Sequence, residues 1–257
     1  GAASMLYLPE AEKQSMITLQ QVRKQYGTTL ALDDISLTIA CGEFFVLVGQ
    51  SGSGKTTLLK MLNRLIEPDS GTILVGGENI RTQSLRALRL NTGYVLQHIA
   101  LFPNMTVAEN IGLIPEMKGW SREKRLAATR ALLQQVNLPP EIYLHRYPQE
   151  LSGGEQQRIG ILRAIIAQPQ LLLMDEPFSA LDPISRRQLQ ELIKRLQQQL
   201  HLTIVFVTHD MKEALLLADR ICILHQGKMV RLDTPDAIMA QPENTMVARL
   251  FAGENES

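Results

Sequence analysis

Nine consecutive residues carry the clearest chemistry in the sequence: Gly49-Gln50-Ser51-Gly52-Ser53-Gly54-Lys55-Thr56-Thr57. They match GxxxxGK(S/T), the P-loop pattern. Its glycines let successive backbone N–H groups face inward, forming an anion nest at a helix N-terminus. Lys55 supplies a point charge for β- and γ-phosphates, and the Thr56 hydroxyl is placed to ligate Mg²⁺. A flexible glycine loop with a surface lysine is the plain alternative. The apolar run before the loop and a helix expected over Thr57 to Leu65 favour the phosphate site.

A second segment, Leu171-Leu172-Leu173-Met174-Asp175-Glu176, delivers two carboxylates at the end of an apolar strand, a Walker B pattern. Asp175 would hold the metal ion, through its water. Glu176 would face the γ-phosphate and position or deprotonate an attacking water. Alone, the acidic pair could be a solvated loop; behind a phosphate loop it reads as a metal site. The third segment is Leu151-Ser152-Gly153-Gly154-Glu155-Gln156-Gln157-Arg158. Ser152 and Glu155 form a capping box, so a plain helix start is one reading. Gly153 and Gly154 in the first turn weaken that helix. They make sense if a ligand approaches the backbone closely, which makes a second anion-binding helix N-terminus the sharper reading.

Parallel strands are needed to bring these segments together. Phe44 to Val48, Leu171 to Met174 and Ile204 to Val207 are apolar without alternation, as in strands covered on both faces. Each ends in polar residues, the last in Thr208-His209-Asp210, and α/β folds place ligands at the carboxyl ends of such strands. Ile17 to Arg23 and Ala31 to Ile39 alternate in part, as half-exposed antiparallel strands do, with Thr72 to Val75 adding another. From about Thr106 to Glu150 the pattern turns helical. A capping box, Thr106 to Glu109, opens one helix and Ser121 caps the next. Leu126, Ala127, Ala131, Leu132 and Val136 give the second its apolar face, and Pro139-Pro140 stops it. Asp182-Pro183 starts another helix through Leu189, Leu192, Ile193 and Leu196. The fold class is α/β: a P-loop NTPase core with a mostly parallel sheet, an N-terminal antiparallel β subdomain and a helical subdomain inserted at about 98–160.

Composition narrows the function. The chain has 257 residues with 26 basic and 26 acidic side chains, hence no net charge. It lacks the basic excess of a nucleic-acid binder. Cys41 and Cys222 are too few for a disulfide scaffold and read as free thiols in a reducing compartment. No apolar run approaches the roughly 20 residues of a membrane-spanning helix, and no secretory leader is visible. Gly1-Ala2-Ala3-Ser4 before Met5 reads as a tag scar, so residues 1–16 are set aside and 17–257 are taken as one ATPase domain.

The Ser152 segment, LSGGEQQR, resembles the signature of the ABC family, and further family motifs follow in order. Tyr26 matches the aromatic A-loop that stacks on adenine. Gln97, in Gly93-Tyr94-Val95-Leu96-Gln97, matches the Q-loop, a contact to Mg²⁺ and water joined to the permease-facing segment. Ser179-Ala180-Leu181-Asp182 matches the D-loop, and His209 the switch histidine that contacts the γ-phosphate. The resemblance covers about Ile17 to Gly227. It implies ATP and Mg²⁺ as ligands. It also implies a head-to-tail homodimer, or a pair with a close relative, in which the P-loop of one copy and the signature helix of the other clamp one ATP. Hydrolysis then moves a separate transmembrane permease, which places the protein peripherally at the cytoplasmic face of the cell membrane.

Asp175-Glu176-Pro177-Phe178-Ser179 resembles importer ATPases. Lys60-Met61-Leu62-Asn63-Arg64-Leu65-Ile66-Glu67-Pro68, Asn110 to Pro115 and Gly119-Trp120 resemble the glycine betaine, carnitine and choline group, whose permeases receive solute from a solute-binding protein. Several members of that group carry C-terminal CBS domains; the sequence up to Ser257 has no room for them, so either regulation lies elsewhere or the sequence is a piece of a longer chain. Another small-solute importer and a permease-free ABC ATPase remain alternatives. The SMC kind needs a coiled coil between Lys55 and Ser152, where no sustained heptads lie, and the ribosome-associated kind carries two ATPase domains. A non-catalytic module is disfavoured by Lys55, Asp175, Glu176 and His209 together. His98, His145, His201 and His225 show no metal spacing. Met61, Met105, Met117 and Met211 read as core or interface filler, and Trp120 as the permease-facing surface or its support. The A-loop reading predicts that Tyr26→Ala weakens ATP binding by about 1–3 kcal/mol, the usual worth of base stacking, in a calorimetric titration.

Overall fold

The computed structural model describes residues 14–98 and 100–241, so most of the leading segment and the last residues of the expected domain lie outside the described residues. Two sheets organise it. The first is antiparallel, in the order β2-β1-β4-β5, from β1 (Ser15–Tyr26), β2 (Thr29–Ala40), β4 (Ser70–Val75) and β5 (Glu78–Asn79). Its alternation is only partial in the sequence for a local reason. Gln21 and Asp34 both adopt left-handed φ, 51° and 54°. The register of β1 shifts between Leu19 and Val22. The bulge carries the inward sequence from Ile17 and Leu19 to Val22, all buried.

The second sheet runs β10-β9-β3-β8-β7-β6. It contains β3 (Phe44–Val48), β6 (Thr92–Leu96), β7 (Leu171–Asp175), β8 (Ile204–Thr208), β9 (Arg220–His225) and β10 (Lys228–Asp233). The ladders from β9 through β6 are parallel; only β10 is antiparallel, at the edge. Alternate side chains of the central strands enter two different cores. Phe44, Val46, Val48, Leu172, Met174, Ile204 and Phe206 face one, Phe45, Leu47, Leu171, Leu173, Val205 and Val207 the other. The second core is closed by the antiparallel sheet and by α1 (Lys55–Met61), with α2 (Leu85–Leu90) at its margin.

The first core is closed by helices. Between β6 and β7 lie α3 (Val107–Met117), α4 (Arg122–Gln135), α5 (Pro140–Tyr143) and α6 (Gly153–Ile165). Then come α7 (Pro183–Leu200) and α8 (Met211–Leu217), with α9 (Pro235–Ala240) after β10. Ile111, Leu133, Ile159 and Ile193 share this core with the sheet, so the helical insertion has no separate hydrophobic centre. Burying each such side chain is worth about 1.5–3 kcal/mol. The loop after Gln97 is anchored by one wholly buried amide. Asn110 accepts from the Phe102 N–H at 2.8 Å and donates to the carbonyls of Phe102, Met105 and Thr106.

The helix after the phosphate loop occupies Lys55–Met61, not Thr57 to Leu65. Gly54, left-handed at φ 103°, opens it two residues earlier, and Leu62 caps it before Arg64 turns left-handed at φ 61°. In α4 the inward face is Thr129, Leu132 and Leu133; Ala127 and Ala131 are exposed. That helix ends at Gln135, with Asn137 at φ 60° breaking it, and Pro140 opens α5 instead of ending α4. Met61 and Met211 are core residues, but Met117 is half exposed. Trp120 packs against the first core, and the Lys124 ammonium covers its ring at 4.0 Å.

One glycine turn ties the edges of the two sheets to the phosphate loop. Gly227, between β9 and β10, donates to the Ser53 carbonyl at 2.9 Å and accepts from the Asp33 N–H at 2.8 Å. Its φ is +79°, and a Cβ there would lie 2.7 Å from the Ala31 carbonyl oxygen. Gly227→Ala should therefore lower the unfolding free energy by about 2 kcal/mol, combining a left-handed backbone penalty with a steric clash, in a urea titration.

Candidate nucleotide site

Strand register sets the site. Val48 pairs with Thr208, and Asp175 pairs with Val207 on one side and Leu96 on the other. The chain leaves the carboxyl ends of these four strands as Gly49, His209, Glu176 and Gln97. Backbone bonds continue the alignment a step further: Gly49 N–H donates to the Thr208 carbonyl at 3.3 Å and Glu176 N–H to the Val207 carbonyl at 2.9 Å.

The phosphate loop folds tightly. Gly52 and Gly54 are left-handed, at φ 81° and 103°. A Cβ on Gly54 would meet the Ala31 carbonyl oxygen at 2.5 Å, and one on Gly49 would meet Ser53 Oγ at 2.5 Å. Gln50 accepts from the Ser53 N–H through its backbone carbonyl at 3.0 Å. Ser51 is exposed, whereas the Ser53 hydroxyl is buried without a hydrogen-bond partner among the described residues. Lys55, 6% exposed, donates to the Gly49 carbonyl at 2.8 Å. Thr56 and Thr57 follow in the first turn of α1, half-buried.

Three polar side chains converge. Lys55 Nζ lies 3.5 Å from Glu176 Oε1, and His209 Nδ1 lies 3.0 Å from the same oxygen. Asp175 is hydrogen-bonded to the Thr56 side chain. Burial pushes the Asp175 carboxyl above the usual range and the Glu176 charge adds to this, against the pull of Lys55, Lys60 and Thr56. Beside it, burial and the Asp175 charge push the Tyr94 phenol up to about 12, and its oxygen is buried without a partner among the described residues.

The remaining sequence candidates are placed less directly. Gln97 stands half-buried one residue beyond the Leu96–Asp175 pair. Tyr26 ends β1, 49% exposed, with the Lys24 ammonium 5.2 Å from its ring centre. Its hairpin continues into β2, whose Ala31 carbonyl backs onto Gly54. Ser152 and Glu155 form the expected reciprocal box at the start of α6. Burial raises the Glu155 carboxyl, but bonds from Tyr143 and Ser152 outweigh it and leave the group below its usual range. Gly153 faces open space, and Gly154 would meet Ser185 only at van der Waals distance. Asp182 caps α7 through the Ser185 N–H at 3.0 Å, and bonds from Ser185 hold its carboxyl below the usual range.

Sequence reasoning missed a polar cluster behind His209. Arg186 reaches Asp210 and the buried Glu213, and Gln190 joins them. The signal was spacing: Arg186 stands one helical turn after Asp182, and Glu213 one turn after His209.

Residues 32–179 match a family model described as ABC transporter. The chain belongs to the ABC transporter family. It is 55% identical over 240 residues to the glycine betaine/carnitine/choline transport ATP-binding protein OpuCA of Bacillus subtilis, covering 93% of this chain and 63% of that one. It is 44% identical over 241 residues to the glycine betaine uptake system ATP-binding protein YehX of Escherichia coli, covering 94% and 78%. The chain thus spans less than two thirds of the length of OpuCA. Among solved structures, a dimeric ATP-binding cassette in a post-hydrolysis state with ADP and Pi superposes with TM-score 0.75 at 31% identity, covering 86% of this chain and 99% of that one. The cbiO1 protein of Clostridium perfringens, part of the ABC transporter complex cbiONQ, superposes with TM-score 0.82 at 24% identity, covering 90% and 93%. The P-loop NTPase fold is that of these ABC domains. Among the described residues no helix of this ABC chain is long and apolar enough to cross a membrane.

The Asp175 environment makes a prediction. A carboxyl whose pKa is raised by folding holds its proton more readily when folded, so stability falls as pH rises past the unfolded value. Asp175→Asn should raise the urea midpoint of the nucleotide-free protein at neutral pH and flatten that fall, while weakening Mg²⁺-dependent nucleotide binding. A midpoint at or below wild type would contradict this account of the site.

Proposed function

We propose that this chain binds Mg·ATP and hydrolyses it at the carboxyl edge of the parallel sheet. The convergence of Lys55 and His209 on one oxygen of Glu176 carries the reading. A cation and an imidazole on one carboxylate, next to an anion nest, suit a site that handles a charged phosphate and a water proton. An entering triphosphate would compete with Glu176 for Lys55, leaving the carboxylate to His209 and to a water. Glu176 then orients that water and accepts its proton. His209 holds the carboxylate and contacts the γ-phosphate side. Tyr26 offers its exposed face to adenine, and the backbone from Gly49 to Thr57 wraps the phosphates.

The residues also fit Mg²⁺. Asp175 and Thr56, already hydrogen-bonded to one another, supply hard oxygen donors, and Gln97 leaves the neighbouring strand beside them. Burial first, and the Glu176 charge second, disfavour the ionised Asp175 carboxyl, and a bound cation would offset both. When bound, the ion neutralises phosphate charge.

We infer a head-to-tail homodimer. The Ser152 cap is complete within its own turn, yet Gly153 and Gly154 each weaken a helix by about 1 kcal/mol relative to alanine. Neither meets a close neighbour in its own chain that would exclude a side chain. Close approach by a phosphate held on a second copy supplies the reason, with Ser152, Gly153, Gly154 and Glu155 forming the trans contact and the Asp182 turn lying at the same junction. The solved cassette with ADP and Pi is dimeric. The transport reading follows the relatives: the chain powers a separate permease at the cytoplasmic face of the membrane, fed by a solute-binding protein. The solute is a quaternary amine of the glycine betaine, carnitine or choline type. Uptake of labelled choline by proteoliposomes containing the permease tests the solute class.

Glu176→Gln should bind Mg·ATP normally and turn over at least 10²-fold more slowly, the scale of lost general-base catalysis. In small-angle scattering that variant should dimerise on adding Mg·ATP, and Ser152→Arg in the same background should remain monomeric. Wild-type turnover in Glu176→Gln would show that another group polarises the water; ATP-driven dimers of the double variant would reduce the signature helix to a capped helix start.

A further inference from the structure

The polar cluster behind His209 is not used by the mechanism above, yet it buries a charge. The Glu213 side chain is 2% exposed. A buried carboxylate is costly unless paired and hydrogen-bonded. Arg186 Nε lies 3.2 Å from Glu213 Oε2, and Gln190 Nε2 donates to the same oxygen. The other arm of the guanidinium, Nη2, lies 3.3 Å from Asp210 Oδ2. One planar fork thus joins two carboxylates on α8 and its cap, a geometry lysine cannot reproduce.

The elements joined are functional. Arg186 N–H donates to the Asp182 carbonyl at 2.9 Å, in the turn that opens α7. Asp210 follows His209 directly, and its N–H donates to Thr208 Oγ1 at 3.0 Å. Its Oδ1 caps α8 by accepting from the Lys212 N–H at 2.9 Å. The cap therefore occupies one oxygen of Asp210 and leaves the other for Arg186. The cap itself does not need the guanidinium; the Arg186 arm links two helices.

We propose that Arg186 is a positioning residue: by bridging Asp210 and Glu213 it ties the Asp182 turn to the Thr208–Asp210 segment and so sets where His209 meets Glu176. This rests on the ATPase reading above. The proposed dimer junction at Asp182 and the histidine of the same chain are then mechanically one piece.

Asp210→Asn tests it with little threat to the fold, because asparagine caps a helix as well as aspartate does. The Arg186–Glu213 pair stays intact in that variant. It should lower kcat for Mg·ATP about tenfold, leave KM within about twofold and keep the melting temperature of the wild type, the pattern of an interaction acting only on the chemical step. Arg186→Gln should lose at least as much kcat, and Arg186→Lys should lie between it and wild type. The Asp210→Asn, Arg186→Gln double variant should be no slower than Arg186→Gln alone, since the two groups act through one contact. If Arg186→Gln fails to fold, Asp210→Asn and Arg186→Lys with their double variant complete the cycle. Wild-type kcat in Asp210→Asn, or losses that multiply in the double variant, would overturn the proposal and leave the cluster a packing feature. A wild-type protein that does not hydrolyse Mg·ATP would instead overturn the ATPase reading.

Discussion

The register of four parallel strands is the constraint on which the site depends. Gly49, His209, Glu176 and Gln97 are neighbours because Val48, Thr208, Asp175 and Leu96 end their strands within one residue of the same level. A slip of one residue would exchange the faces of a strand. In β3 it would send Phe45 and Leu47 toward the helical core and Phe44 and Val46 toward the antiparallel sheet. Both cores are closed and differently shaped, so the slip is opposed from both sides. The site is as well defined as the packing beneath it.

Within that frame Glu176 has a separate conformational task. Successive side chains of a strand point to opposite faces, yet Asp175 bonds Thr56 while Glu176 sits beside Lys55, adjacent residues at the start of α1. The left-handed φ of Glu176, 44°, ends the strand and turns its carboxylate back to the side Asp175 already faces. This backbone conformation is unfavourable for a residue with a side chain. It also sets two carboxylates near one another, which contributes to the raised Asp175 carboxyl. The fold carries both costs at the place where a cation and a polyphosphate would relieve them.

The sequence disclosed this design unevenly. The unbroken apolar runs at Phe44, Leu171 and Ile204 reported burial on both faces, and the polar residue ending each run reported the site. Capping boxes at Thr106 and Ser152 and the Asp182 cap were readable because each uses side chains a few residues apart. The antiparallel strands were blurred by left-handed residues that look ordinary in a sequence, Gln21 and Asp34. The inward face of α4 was right at Leu132 and Val136 and wrong at Ala127 and Ala131, because alanine fits an exposed or a buried position equally. Strand β6 and helix α2 were not anticipated, since five and six residues are too few to display a period. The Arg186 cluster was hidden for a different reason: helical spacing puts Arg186 beside Asp182 and Glu213 beside His209, but the partners of Glu213 lie on another helix, and only the tertiary fold brings the two turns together.

The helix starts of α1 and α6 show how differently one chain treats two similar features. At α1 the glycines have intramolecular causes: Gly54 touches Ala31, and Gly227 locks Ser53 from behind. The loop is braced by β2 and by the β9–β10 turn before any ligand arrives, so little ordering entropy remains to oppose binding. At α6 the box formed by Ser152 and Glu155 satisfies the first turn, and Gly153 has empty space before it. A preorganised nest and an open helix end, both able to face an anion, are complementary surfaces. Helix-end partial charges that repel when two copies meet bare become mutually attractive around a polyphosphate. In the proposed dimer the nucleotide itself would then be the joint between copies, and its loss of a phosphate would weaken that joint from within.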